Sequence, residues 1–469
     1  MAQDSLLHFK VEAQGIYNSN GQVPFWFRSN QFGSIPLDGA STSFIGSAVK
    51  DYGPDRSKLF DWGAGFEGRS NLGNAAQATL IEAYAKVRLG MFQLKGGRSK
   101  EIMGIVGDSI LSSGSFSVSG NALGVPQVSL SIPEFYTIPV FGGLFAVKGN
   151  FAHGWLGTLQ MDPTFRLKES KTYFHQSSFY GRVGRPDGRF KAYGGFNHQV
   201  YWGNYNNTHP GNTDLSTWNE FVKVALGLVH EGSKVGNHLG SLDLAFEYRF
   251  PTVTIKAYRQ TIYDIGALSK LANIRDGLNG LIVTNNSINN QKGFTWKKFL
   301  VEVFYTKNQA GEVWSKKTKS GAENYYNNYQ YVKGWTYHGQ NLGNPFITSR
   351  VFARRDLQMN GQDYYVNNRL WLLNLGYEGS IEKISLLAKV SLSRNYGTYR
   401  TSGERYRSVD GILRSDPNFK FAPVNQVSLY LQAKKRFKNN FEGGVMLAAD
   451  RGDLLYNSVG SVLSIAKSF

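Results

Sequence analysis

A period-two alternation of apolar and polar residues runs from one end of the sequence to the other, and it commits the chain to β-structure. Between Gly240 and Arg249, Leu242, Leu244, Phe246 and Tyr248 share one parity while Ser241, Asp243, Ala245 and Glu247 take the other. After Phe250-Pro251, Val253, Ile255 and Ala257 alternate with Thr252, Thr254, Lys256, Tyr258 and Gln260, which predicts a hairpin with a tight turn. The pattern opens the chain at Phe9, Val11, Ala13 and Tyr17 and returns at Ala83, Ala85, Val87, Leu89 and Met91. Near the end it recurs at Val427, Leu429, Leu431 and Ala433, then at Phe441, Gly443, Val445, Leu447 and Ala449. No run of about 18 apolar residues occurs, so any membrane span must be a strand.

Soluble sandwiches also alternate, and the connections separate the two cases. Short links such as Arg185-Pro186-Asp187-Gly188 and Lys438-Asn439-Asn440 are interspersed with long polar, aromatic stretches at Gly203–Trp218, Glu312–Gln330 and Arg400–Ala422. Short turns at one rim and long loops at the other are the outer-membrane pattern, with short turns periplasmic and long loops external. Tyr17, Phe250 and Trp202, near strand ends, are expected as interfacial girdle residues. The last strand puts Val459, Leu463, Ile465 and the terminal Phe469 on one parity, interrupted by Lys467, and an alternating strand that stops on Phe resembles the assembly signal of such barrels. The expectation is all-β: a closed antiparallel transmembrane β-barrel. At about 26 residues per strand and loop, the 469 residues allow about 18 strands, in one domain over 1–469 with no separate plug domain.

Composition agrees with that reading and excludes several chemistries. Aromatics at 14% beside 53 Gly and 13 Pro suit many short strands with small-residue turns. No cysteine occurs, so disulfides, thiolate metal sites and thiol nucleophiles are ruled out. Lys and Arg number 52 against 34 Asp and Glu, a formal charge of +18 that predicts polyanionic partners. The excess is dispersed and forms no nucleic-acid tract. Met1-Ala2-Gln3-Asp4-Ser5 lacks the basic and apolar regions of a secretory signal, and we read it as a mature chain bearing an added Met after signal removal.

Three motifs invite sharper readings. Gly63-Ala64-Gly65-Phe66-Glu67-Gly68 spells the dinucleotide fingerprint, yet Leu59-Phe60-Asp61-Trp62 is no buried strand and Ala83 to Met91 is no helix, so the glycines are assigned to a barrel strand. The eight histidines, His8, His153, His175, His198, His209, His230, His238 and His338, show no close metal-ligand spacing; neither a metal site nor a cofactor is expected. Arg451-Gly452-Asp453 reads as an ordinary turn in the last external loop. Cations interleaved with aromatics form the candidate ligand set: Lys86, Arg88, Trp202, Trp314, Lys316, Lys317, Arg354, Arg355, Arg405 and Arg407. Guanidinium and ammonium groups pair sugar carboxylates, and aromatic faces pack on sugar rings.

Several segments resemble the capsule assembly protein Wzi family. Pro24-Phe25-Trp26-Phe27-Arg28-Ser29-Asn30-Gln31-Phe32-Gly33 is similar to an early aromatic block, and Ser119-Gly120-Asn121-Ala122-Leu123 to a short second marker. Asn197-His198-Gln199-Val200-Tyr201-Trp202-Gly203, Gly236-Asn237-His238-Leu239-Gly240-Ser241-Leu242-Asp243, Tyr258-Arg259-Gln260-Thr261 and Asp276-Gly277-Leu278 follow in order. Gly334-Trp335-Thr336-Tyr337-His338-Gly339-Gln340-Asn341-Leu342-Gly343-Asn344-Pro345 carries the resemblance furthest. The resemblance implies a barrel of about 18 strands, within the range of such barrels, that binds surface polysaccharide and helps anchor a capsule. Better-known members carry an N-terminal helical plug, whereas Phe9 to Tyr17 reads here as a strand. The expected function is non-enzymatic binding of capsular polysaccharide, with an anion-preferring diffusion porin and an outer-membrane hydrolase as alternatives. Expected partners are outer-membrane lipid and lipopolysaccharide, acidic polysaccharide and an envelope protein complex, without nucleic acid.

Overall fold

In the computed structural model, residues 7–469 are described except 38, 56–57, 74–75, 106–107, 265–270, 288–292, 312–322, 404–405, 408–412 and 415–419. Eighteen strands follow one another around a single sheet. They are β1 Leu7–Asn18, β2 Ser41–Lys50, β3 Phe60–Gly73, β4 Gln77–Leu89, β5 Phe92–Arg98 and β6 Gln127–Thr137. Next come β7 Phe145–Gln160, β8 Glu169–Val183, β9 Phe190–Trp202, β10 Asn237–Arg249, β11 Val253–Asp264 and β12 Gly277–Asn285. The ring ends with β13 Phe294–Tyr305, β14 Leu370–Ile381, β15 Ile384–Asn395, β16 Val424–Arg436, β17 Phe441–Gly452 and β18 Ser458–Ser468. Every strand is antiparallel to its sequence neighbour, and β1 closes the ring on β18 from Lys10 opposite Ser468 to Asn18 opposite Gly460.

The alternation now has a physical meaning. On β10, Leu242, Leu244, Phe246 and Tyr248 point outward and are exposed, while Asp243 and Ala245 point inward and are buried. Val459, Leu463, Ile465 and Phe469 on β18 are likewise exposed. An apolar belt of this extent around the whole barrel is what lipid requires and what water would not tolerate. The chain is therefore an outer-membrane barrel that crosses with strands; among the described residues no helix is long and apolar enough to do so. Lys467 interrupts the belt without stranding a charge, because its ammonium lies 5.1 Å from the Phe441 ring centre and 4.7 Å from that of Phe469.

Rim asymmetry is pronounced. Links on the side of the two termini are short, the longest being 51–59, whereas the opposite rim carries 19–40, 99–126, 203–236, 306–369 and 396–423. The glycine fingerprint falls inside β3. Gly63 and Gly65 face inward opposite Lys86 and Tyr84, and a side chain on either glycine would collide with those two. Arg451 and Gly452 end β17, and Asp453 begins the turn to β18 on the long-link rim.

The core lies in the lumen. Segments of links 19–40, 99–126 and 306–369 fold inward, so that Phe116, Trp335, Tyr325, Tyr326 and Tyr365 are as buried as the centre of a soluble domain. A barrel of this width leaves space that side chains from the wall alone cannot fill. Depth along the outer face also sets the penalty: Leu244→Arg, midway along the lipid-facing row, is expected to cost about 2–4 kcal/mol in denaturant titrations of barrel refolded into vesicles. Phe250→Arg, at the rim, should cost about 0–1 kcal/mol, and equal costs would contradict the placement of the belt.

Candidate functional site

Two wall carboxylates hold the plug. Glu302 on β13 is fully buried and accepts hydrogen bonds from Ser112 Oγ at 2.7 Å, the Ser113 N–H at 2.6 Å, Asn374 Nδ2 at 3.3 Å and the Tyr258 hydroxyl. Asp243 on β10 accepts from the Ile105 N–H at 2.7 Å and the Tyr180 hydroxyl at 3.0 Å. At the start of the plug, Asp108 is bound by Lys298 Nζ at 2.7 Å and by the Leu111 N–H at 2.9 Å. Polar groups from wall strands far apart in sequence thus fix one end of link 99–126.

The other end is fixed by link 306–369. Trp335 Nε1 donates to the Ser117 carbonyl at 2.8 Å, the Ser119 N–H to the Leu342 carbonyl at 2.8 Å, and Asn344 Nδ2 to the Gly114 carbonyl at 2.6 Å. Tyr326 donates its hydroxyl to the Phe116 carbonyl and accepts from the Asn344 N–H at 2.7 Å. Link 19–40 joins through the Phe32 N–H to the Gly120 carbonyl and through Phe25, whose ring centre is 4.4 Å from that of Phe346. The segments that carry the family resemblance meet here, since Pro24–Gly33, Ser119–Leu123 and Gly334–Pro345 are the three interlocked pieces. Asn197 and Asp243 supply wall contacts to the same plug, and Tyr258 supports it indirectly by donating to Glu302.

Below the external rim, Asp276 clamps two further turns of link 306–369. It accepts from the Asn308 N–H at 2.9 Å, the Gln309 N–H at 2.6 Å and the Tyr325 hydroxyl at 2.8 Å. Burial pushes its carboxyl up to about 6, against the pull of those donors and of Arg369.

The residues singled out from sequence do not form one site. Lys86 and Arg88 come together at the short-link mouth of the lumen, where a cavity of about 1080 Å³ is also lined by Tyr52, Lys58, Gln93 and Glu134. Both cations are engaged there: Lys86 pairs with Asp51 at 3.2 Å and Arg88 with Asp61 at 3.6 Å, and both lie against the Tyr52 ring. Arg354 and Arg355 are at the opposite, external rim. Arg354 forms a two-point pair with Asp356 at 3.0 and 2.6 Å, while the Arg355 side chain is exposed. Trp202 faces outward, as a girdle residue would, but it is buried beneath link 203–236 and meets neither lipid nor lumen. Trp314, Lys316, Lys317 and Arg405 lie outside the described residues, as does the Arg407 side chain.

Sequence reasoning missed an external cluster. An isolated bridge between Met161 and Tyr331, backed by the Asp162 N–H to the Gln330 carbonyl at 2.8 Å, sets link 161–168 beside 329–333. It brings the Phe165 ring to 6.1 Å from the exposed Tyr329 ring, on segments that also carry exposed Arg166, Lys168 and Lys333, with the Lys168 ammonium donating to the Pro163 and Phe165 carbonyls. Among the described residues no carboxylate is paired with any of these three cations, whereas wall cations such as Lys95, Lys191 and Lys298 each have one. Nothing in the local sequence announces a pairing between segments so far apart in the chain. Among the described residues no cluster of three or more metal-ligating side chains occurs.

A family profile described as capsule assembly protein Wzi matches residues 8–349. No curated protein matches the sequence. Solved structures similar to the chain include OprD from Pseudomonas aeruginosa, at 10% identity, covering 99% of this chain and 93% of that one, with a TM-score of 0.46. OccK2 (OpdF) of the same organism, in complex with glucuronate, is 8% identical with coverage of 99% and 97% and a TM-score of 0.45. Acinetobacter baumannii OccAB2 is 9% identical with coverage of 100% and 99% and a TM-score of 0.46.

Two outcomes follow from the plug contacts. Glu302→Ala removes the acceptor shared by four buried donors, at about 1–3 kcal/mol for each one left unsatisfied, so single-channel recordings should turn from a closed barrel to one with flickering openings; a variant as silent as the parent would contradict the anchoring role. Asp276 has a folded value raised above its ordinary one, so its contribution to stability is greatest below about pH 4 and declines as pH rises to about 6, by roughly 3 kcal/mol. Thermal unfolding across that range should lose this slope in Asp276→Asn.

Proposed function

The chain belongs to the Wzi family of capsule assembly proteins, and from that premise we propose that it holds acidic surface polysaccharide on the external loops of a plugged barrel, without catalysis. The observation that carries this reading is the external cluster of Arg166, Lys168, Lys333 and Tyr329. An uncompensated guanidinium presents a planar fork to a sugar carboxylate, the Lys333 ammonium adds a mobile point charge, and the phenol ring offers a face for the pyranose. Arg355 is exposed on the same rim but stands beside the turn between β17 and β18, apart from this cluster. The cluster stands on links braced by the plug, so little side-chain and loop ordering remains to be done on binding.

Lys86 and Arg88 take another role in this proposal. Their pairing with Asp51 and Asp61 leaves little free charge for a glycan, and they hold link 51–59 against the inner wall. The filled lumen disfavours the diffusion-porin reading, because the path between the two mouths runs through Trp335, Tyr326 and Phe116.

Purified protein titrated with an acidic capsular polysaccharide tests the assignment. Affinity should fall steeply between low salt and about 1 M, where screening reaches about 3 Å. Arg166→Glu combined with Lys333→Glu should weaken binding about tenfold, a loss of about 1.4 kcal/mol, and Tyr329→Ala by a smaller factor. Salt-insensitive binding, or equal losses from Lys86→Gln, would overturn it.

A further inference from the structure

Link 203–236 does not stand up from the rim as an external loop. It turns back over the outside of the wall, and its helix at Thr217–Ala225 covers β7, β8 and β9 near their outer ends. The parity of β9 establishes the side: Asn197, Gln199 and Tyr201 face the lumen, where Tyr201 stacks on Trp335 at 4.1 Å. Val200 and Trp202 face outward yet are only 0% and 2% exposed, because Phe221 and Val224 of the helix pack on them. Ser216 caps the helix by accepting from the Asn219 N–H, and Glu220 ties it to the end of β9 by accepting from the Gly203 N–H at 2.8 Å.

The helix has three faces. Glu220, Phe221 and Val224 lie toward the barrel, and Asn219 and Lys223 form a polar stripe. Between them Trp218, Val222, Ala225 and Leu226 recur at helical spacing on a third face, which is apolar. Trp218 and Leu226 are 69% and 68% exposed, and the apolar surface continues through exposed Leu228 and Val229. A helix bordered by one protein partner and by water needs only two faces. The third requires an apolar neighbour.

Height identifies that neighbour. A tilted strand crosses the hydrocarbon in about 9–11 residues, so a span entering at exposed Phe190 leaves near Val200, where the helix sits. Its apolar face therefore continues the lipid-facing belt, marked on the adjoining strands by Phe151, Phe179, Phe196 and Leu242. We propose that the Thr217–Ala225 helix with Leu226–Val229 is an interfacial foot in the outer leaflet, with Trp218, Leu226, Leu228 and Val229 against acyl chains and Lys223 at the level of the phosphate-bearing headgroups. The foot fixes the height and tilt of the barrel on one side, and covers outward His153 and His175, each beside the Phe221 ring, which would otherwise face the edge of the hydrocarbon.

Because the chain has no cysteine, single substitutions give clean labelling sites. Trp218→Cys and Leu226→Cys, spin-labelled in vesicles containing lipopolysaccharide, are to be compared with Phe246→Cys on the belt and Arg355→Cys on the external loops. Collision with dissolved oxygen relative to a water-soluble nickel complex should be several-fold higher at 218 and 226 than at 355, approaching the value at 246. Nickel accessibility at 218 and 226 equal to that at 355 would overturn the proposal. So would protection from both reagents, which would mean that a second copy of the chain covers the face. Phe246 reports the membrane seating of the barrel itself, so its failure is separable from failure of the foot.

Discussion

Inside a bilayer a backbone N–H or C=O with no partner costs several kcal/mol, and a sheet can meet that demand only by having no edge. The pairing of β1 with β18 is therefore the contact on which the remainder depends. Closure over eighteen strands makes the wall two-sided, with one parity given to lipid and the other to the lumen, and it sets a diameter too large for wall side chains to fill. The long links follow from the second consequence. Segments of links 19–40, 99–126 and 306–369 are what occupies the lumen.

Filling a lumen with loops brings many backbone polar groups out of water, and each must find a partner. This chain places its acceptors and donors on the wall. Glu302, Asp243 and Asn374 receive or supply the bonds that link 99–126 cannot make within itself. Trp335, Asn341 and Asn344 complete the set from the opposite side. Such a network is stable only when nearly complete, which gives the plug one arrangement and explains how it can brace the external rim.

The alternation, the number of strands and the rim asymmetry were legible because each is local: parity can be counted along a run such as Leu242 to Tyr248, and link length between runs. The plug was not legible. Ser112 to Gly120 is small and polar and resembles a solvated loop, yet it is buried because its partners lie on β9, on β13 and in link 306–369. The external cluster failed for the same reason, since Arg166 and Tyr329 meet only through a bridge between distant links. Trp202 had a readable signal that aromatic content masked: counting parity from the outward Phe196 puts Trp202 outside and its neighbour Tyr201 inside.

A closed wall, a cross-bonded plug and a cationic, aromatic external cluster are the features from which we propose a barrel that holds rather than conducts, in a chain of the capsule assembly protein Wzi family. The most direct measurement is an electron cryo-microscopy map of the chain in nanodiscs with an acidic capsular oligosaccharide bound. The account predicts sugar density against Tyr329 between Arg166 and Lys333, with the plug in place. Density in the lumen or at the Lys86 and Arg88 mouth, with a bare external cluster, would contradict it.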